Sequence, residues 1–247
     1  MFKYFWLHKT DLPPNVGTPN FSATHLTWLA VVLIVIATVL AVYRRRDATS
    51  RRKIRLMIAW LLIAGDSLRW TWALIIGHYN VLEMLPLHLC TVSVIIEVAS
   101  VFTDKKLFKE FSYAIGLPGA LAALLTPDWG VYPLFSFQYL QSVTTHSLLV
   151  LLPILWVWGE GFRPSARELP RIFGLLAGLA VIAATANYFL GSNYFFLREA
   201  PKATPLEIFE TWFGNPGYIV PLVGLVFVIW LIFYTPWALV ARHAKDE

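Results

Sequence analysis

Residues 25–46 read HLTWLAVVLIVIATVLAVYRRR. From Leu26 to Tyr43 no side chain carries a charge, and three arginines close the run. At about 1.5 Å per residue such a run crosses most of a hydrocarbon core roughly 30 Å thick. The arginines place its C-terminal end in the cytoplasm, because short loops rich in Lys and Arg are retained on that side. No small-residue cleavage pattern follows, so the run is expected to stay in the protein rather than be removed as a leader.

Working outward, the same kind of run recurs at 56–77, 81–102, 107–127, 139–159, 172–190 and 217–240. Together with 25–43 these give seven transmembrane helices in one all-α membrane domain spanning 1–247. The cations test the count. With the N-terminus outside and the C-terminus in the cytoplasm, fifteen Lys and Arg fall in inner segments, among them Arg44–Arg46, Lys105, Lys106, Arg163 and Arg242. Only Lys3, Lys9, Arg198 and Lys202 fall outside, and Arg69 lies within a helix. An even number of spans would break this agreement between neighbouring loops. In the long outer connection 191–216, Thr204-Pro205-Leu206-Glu207 reads as an N-cap, a proline at N1 and a capping-box glutamate. Leu206, Phe209, Trp212 and Phe213 recur on that short helix, which is expected to lie along the outer interface.

Composition excludes other classes. A hydrophobic share of 57% with only 14% charged residues is too apolar for a soluble fold. The net charge of +5 sits in short loops, where membrane insertion explains it without a nucleic-acid partner. One cysteine forbids an internal disulfide. Neither it nor the histidines have metal-ligand spacing, and no cofactor is expected.

Polar side chains inside a bilayer are costly and therefore informative. On the fifth span Gln138, Gln141, Ser142, Thr145 and His146 form one helical face that must line a cavity or bond to neighbouring helices. The third span carries Leu85-Pro86-Leu87-His88-Leu89-Cys90, with Ser93 and Glu97 following Cys90 on one face. Glu97 is expected to be paired or protonated rather than reactive. Asp66 and Arg69 stand at i and i+3, close enough to form an ion pair. Asn187 and then Ser192, Asn193 and Tyr194 add polar groups at the outer side, with Gly191 expected at a helix C-cap. Counted along each span, Cys90, His88, His146, Arg69 and Asp66 lie about 10–16 Å below the outer surface, so several helices bring polar groups to one level.

The ordered set Leu85–Cys90, Leu124-Leu125-Thr126-Pro127-Asp128, Thr145-His146 and Leu190–Tyr194 resembles the YwaF family of bacterial integral membrane proteins and its eukaryotic relative, transmembrane protein 164. The likeness covers nearly the whole chain, including Phe21-Ser22 and His25. It implies residence in the bacterial cytoplasmic membrane and a cysteine-dependent transfer of acyl chains to or from (lyso)phospholipids, with Cys90 as nucleophile. On that reading His146 is the general base, since a buried thiol needs one. Gln141, Asn187 or backbone N–H groups freed near Pro86 or Pro118 would hold the oxyanion. His88, Ser142, Thr145, Asp66 and Arg69 complete the expected substrate-binding set, Arg69 as partner for an anionic head group. The competing class is a transporter or receptor with an outward-facing polar cavity, in which Asp66, Arg69, Glu97 and His146 form a path.

Overall fold

The computed structural model describes residues 3–201 and 204–246, so Lys202, one of the four outer cations, lies outside the described residues. All regular structure in them is helical. Helix α1 (Ala23–Arg44) starts where Ser22 Oγ accepts the His25 N–H at 3.3 Å. Asp47 caps α2 (Ala48–Ile75) in the same way through Ser50 N at 2.9 Å. There follow a single turn, α3 (Val81–Met84), and then α4 (Leu89–Thr103). The next crossing is α5 (Lys106–Phe111), a π-turn at Ser112–Gly116 and α6 (Leu117–Leu125). Pro118 has no N–H to offer the Ala114 carbonyl one turn back. That carbonyl instead accepts Trp230 Nε1 at 3.0 Å. Helix α7 (Phe137–Ile154) runs on through a second π-turn at Leu155–Gly159. The chain ends with α8 (Leu169–Leu190), α9 (Pro205–Phe213) and α10 (Ile219–Asp246).

Five of these segments are long and apolar enough to cross a membrane: α1, the α5–α6 rod, α7, α8 and α10. The expected span 81–102 is not one helix, because Leu85–His88 is a non-helical turn between α3 and α4 and leaves only 15 residues in α4. Helix α2 is long enough, but its first turns carry Arg51, Arg52, Lys53 and Arg55. Helix α7 is the axis of the bundle: 67% of its apolar stretch is buried, against 11% for α10.

The two poles differ in charge. At one, Arg55 bonds Tyr43 and Glu160 while Lys106 and Lys109 pair with Glu168 and Asp104. The far pole is covered by the N-terminal segment. Phe5 O accepts Phe137 N at 2.8 Å, Trp6 O accepts Trp72 Nε1 at 3.0 Å, and Lys9 pairs with Glu83 at 2.9 Å. Gly17 then passes so close to Gly130 that an added Cβ would stand 2.4 Å from its carbonyl oxygen. Helix α9 exists as expected, although Thr204 Oγ1 donates back to Pro201 O at 2.6 Å instead of capping it. Trp212 and Phe213 are exposed on it.

His8 joins this N-terminal strap to α2 by stacking on His78 at 4.4 Å, while His78 Nε2 meets Asp11 at 2.9 Å. Burial, then His78 and Lys9, hold the His8 imidazole below its ordinary 6.5, outweighing Glu83 and Asp11. The folded protein thus binds this proton less tightly than the unfolded chain. His8 contributes stability that is whole above pH 6.5 and is lost as the pH falls through the lower folded value. The protection factors of the residue 5–12 amides, exchange being divided by its intrinsic pH-dependent rate, are expected to fall between pH 7.5 and 5.5, and His8→Phe should abolish that fall. An equal fall in His8→Phe would assign the effect elsewhere.

Candidate active site at the α4 N-terminus

The site is organised by the break before α4. Pro86 disfavours helical backbone at Leu85, which is extended (φ −62°, ψ 150°). Tyr194 secures the break: its hydroxyl accepts Leu85 N at 3.1 Å and donates to Val81 O. His88 ends the turn, with its ring against Tyr194 at 4.9 Å and Phe196 at 5.8 Å and no side-chain cap. Cys90 consequently lies in the first turn of α4, not in the middle of a long span. The first helical hydrogen bond runs from Val92 N to His88 O at 2.9 Å, and Leu89, Cys90 and Thr91 donate their N–H groups to none of the described residues. Uncapped first-turn donors carry the positive end of the helix dipole and are suited to an anion.

His146, buried on α7, places Nδ1 2.8 Å from the Ser142 carbonyl. A carbonyl only accepts, so Nδ1 bears the proton and Nε2 keeps a lone pair with no hydrogen bond among the described residues. Trp129 stacks on the ring at 4.6 Å and 27°. Its position follows from the Pro127–Val131 turn, which Gly17 and Thr18 press from outside. The charges of Asp128 and Arg69 act on both Cys90 and His146, and also on His88. Asp128 is an exposed carboxylate that sequence reasoning left without a role; its one signal was its place in the Leu124–Asp128 motif.

The rest of the α7 face is knitted together. Gln141 Nε2 donates to Gly65 O at 3.3 Å and Thr145 Oγ1 at 3.1 Å, and Gln138 reaches Ser142 Oγ at 3.1 Å. The first of these ties α7 to α2, where Gly65 leaves room for Thr145, and the other two lie within α7. Asn187 is equally committed: Nδ2 donates to Tyr194 O at 2.9 Å, and Oδ1 accepts Ser192 Oγ and Tyr194 N. Gly191 (φ 73°) caps α8 as its residue type implied. Asn187 and Gln141 therefore brace the site in this conformation, with both amide donors of Gln141 and one of the two of Asn187 already used.

One expectation is corrected. Asp66 and Arg69 form no ion pair; Arg69 extends to Met84 Sδ at 3.5 Å, while Asp66 turns toward α4. An open cavity of about 390 Å³ lies between α2 and α4, with Ile63, Asp66, Trp70, Thr91, Val98 and Ala99 in its lining.

A family model of the TMEM164 family matches residues 20–234, from the cap of α1 into α10. The chain belongs to the TMEM164 family. Neither a curated protein nor a solved structure matches it. For this TMEM164-family protein, a multi-pass membrane protein, the match spans every residue of the site, from Asp66 to Tyr194. Glu97 sits beneath Cys90 on α4, fully buried, and neither carboxylate oxygen has a hydrogen-bond partner. It lies against Gly116, where an added Cβ would be 3.0 Å from Oε1. Of the two expected states, paired or protonated, pairing is not seen among the described residues. Chemically the site offers a thiol, an imidazole and a set of unused N–H donors.

Proposed function

We propose that this protein is a membrane-embedded acyltransferase that forms an acyl-thioester on Cys90 and passes the chain to or from a (lyso)phospholipid. The observation that carries this reading is the start of α4, where Cys90 stands in a first turn whose Leu89, Cys90 and Thr91 N–H groups no described group uses. As the thiol attacks an ester carbonyl, the developing oxyanion meets donors that need no reorganisation, the largest electrostatic contribution available to acyl transfer. His146 Nε2 takes the thiol proton and returns it to the leaving oxygen. Tyr194, Asn187 and Trp129 hold the two reacting elements in place. Incubation of the purified protein with a long-chain phospholipid should give a hydroxylamine-labile acyl adduct on the peptide containing Cys90. An adduct elsewhere, or none during turnover, would remove this mechanism.

The reading includes a topology. Helix α2 and the α3–α4 pair supply two further crossings, making seven, with the N-terminus outside and the chain in a bacterial cytoplasmic membrane. The separation of the basic pole from the strap-covered pole supports it. In a Cys90→Ser background, cysteines at Thr49 and Ala166 should resist an impermeant thiol reagent in intact cells, while one at Glu199 should react. Labelling of Thr49→Cys from outside would reverse the orientation.

A further inference from the structure

Three groups on α4 stand in a row without hydrogen bonds. Counted from Cys90, Ser93 and Glu97 lie about 60° and 20° round the helix, so thiol, hydroxyl and carboxyl share one face. That face packs against Gly116 in the π-turn of the α5–α6 rod. Ser93 is 2% exposed and Glu97 is fully buried. Neither Glu97 oxygen has a partner, and the Ser93 hydroxyl and the Cys90 thiol make no hydrogen bond among the described residues.

The free hydroxyl of Ser93 stands out in this chain. Thr27, Thr103, Ser112 and Ser147 each turn their hydroxyl back onto the carbonyl four residues earlier at 2.7–2.8 Å, the ordinary resting place of a hydroxyl in a helix. Ser93 does not. Glu97 Oε1 and Ser93 Oγ lie instead 3.0 and 3.7 Å from the one point that a Gly116 Cβ would occupy. A buried carboxyl without a partner keeps its proton rather than a charge, and a protonated carboxyl is a donor.

We propose that Glu97 and Ser93 form a donor relay for the Cys90 thiolate, in which the carboxyl O–H donates to Ser93 Oγ and the Ser93 O–H donates to sulfur. Side chains three and four apart on a helix have Cβ atoms about 5–6 Å from each other and slope toward the helix N-terminus, so each group leans toward the one it serves. The relay carries no proton away. His146 takes the thiol proton, sulfur keeps the electron pair, and the O–H bonds of Ser93 and Glu97 stay whole while turning toward the charge. The N–H groups of the first turn are left for the ester oxygen. Ser93 touches the reacting atom; Glu97 acts through Ser93 and is a positioning residue. Use of the thiolate in acyl transfer rests on the acyl-thioester reading, but the relay does not. The other charges that act on Cys90, Asp66 and Arg69 on α2 and Asp128 in the turn before α7, come from outside this face, and no charged group acts on Glu97.

The test follows alkylation of the full-length protein in nanodiscs by iodoacetamide between about pH 7 and 10, read by mass spectrometry on Cys90, the one cysteine of the chain. Only the thiolate reacts, so the rate reports how readily it forms. Ser93→Ala and Glu97→Leu should each lower the rate about tenfold at a given pH, the share of one charge-assisted hydrogen bond. Glu97→Gln, whose amide restores a donor of the same shape, should recover most of that loss. The double variant Ser93→Ala with Glu97→Leu should be no slower than either single one, because two links of one chain fail together. A residue that only packs would not give this pattern. Thermal melts report folding, and Ser93→Ala, the smallest change, carries the test if Glu97→Leu does not fold. Unchanged rates in Ser93→Ala or Glu97→Leu, no recovery in Glu97→Gln, additive losses in the double variant, or a wild-type Cys90 that does not alkylate at any of these pH values would overturn the relay. The expected pattern with no acyl adduct on wild-type Cys90 would remove the acyl-thioester reading alone; an adduct with unchanged rates would remove the relay alone.

Discussion

Cys90→Ser is expected to abolish both the acyl adduct and acyl transfer while leaving the protein folded. The side chain is half-buried in the first turn of α4 and makes no hydrogen bond, so oxygen for sulfur costs little structure. Chemically the change is severe, because a serine hydroxyl is far less ready to lose its proton than a thiol and His146 alone must then make the alkoxide. His146→Ala should lower the rate by roughly 10²–10⁴, the usual share of a positioned general base. His146→Gln separates base from filler, since it keeps volume and a donor to Ser142 O but has no basic nitrogen. Full transfer by Cys90→Ser would end the case for a nucleophile here. Recovery of the rate in His146→Gln would reduce His146 to a packing residue beneath Trp129.

The largest effect on stability is expected at the basic pole. The Tyr43 hydroxyl donates to Glu160 Oε1 at 2.6 Å and accepts from Arg55 Nη1 at 2.7 Å, and Arg55 pairs directly with Glu160. Three helices, α1, α2 and the end of α7, meet in these bonds, and Gly159 exists there because an added Cβ would lie 2.7 Å from the Tyr43 ring. The Arg55 and Glu160 side chains are only 15% and 25% exposed. Glu160→Ala leaves the guanidinium and the phenol without their shared acceptor and should destabilise the protein by about 2–3 kcal/mol, below the 3–5 of a fully sealed pair. Arg55→Met with Glu160→Leu and Tyr43→Phe should restore most of that loss, since the unpaired charge and phenol rather than the missing attraction are what destabilise. Thermal melts in detergent read both. A Glu160→Ala melt within about 0.5 kcal/mol of wild type would show the network to be a surface ornament.

How much of the site was legible depends on the range of the interactions. The polar face of α7 is a local pattern, and Ser142, Thr145 and His146 are buried as that pattern requires. The partners are not local. Nothing in the spacing of Gln141 says that both its donors are used, or that Asn187 spends its amide on the turn carrying Tyr194. Asp66 and Arg69 illustrate the limit: i, i+3 spacing permits a pair, yet the long arginine reaches Met84 and the short aspartate faces α4. Asp128 passed unnoticed because its nearness to His146 depends on a turn fixed from outside by Gly17.

The sequence by itself determined that this is an all-helical membrane protein, where its apolar runs lie and which loops carry the cations. Those properties follow from the transfer of side chains into hydrocarbon, which acts on each segment independently. Tertiary structure alone decided that Pro86 interrupts the third segment, that Cys90 thereby becomes a first-turn residue with free N–H groups beside it, and that a cavity opens between α2 and α4. A proline only forbids one hydrogen bond; where the freed chain then goes is set by what can hold it. Here that is Tyr194, more than a hundred residues away, whose one hydroxyl binds both sides of the break.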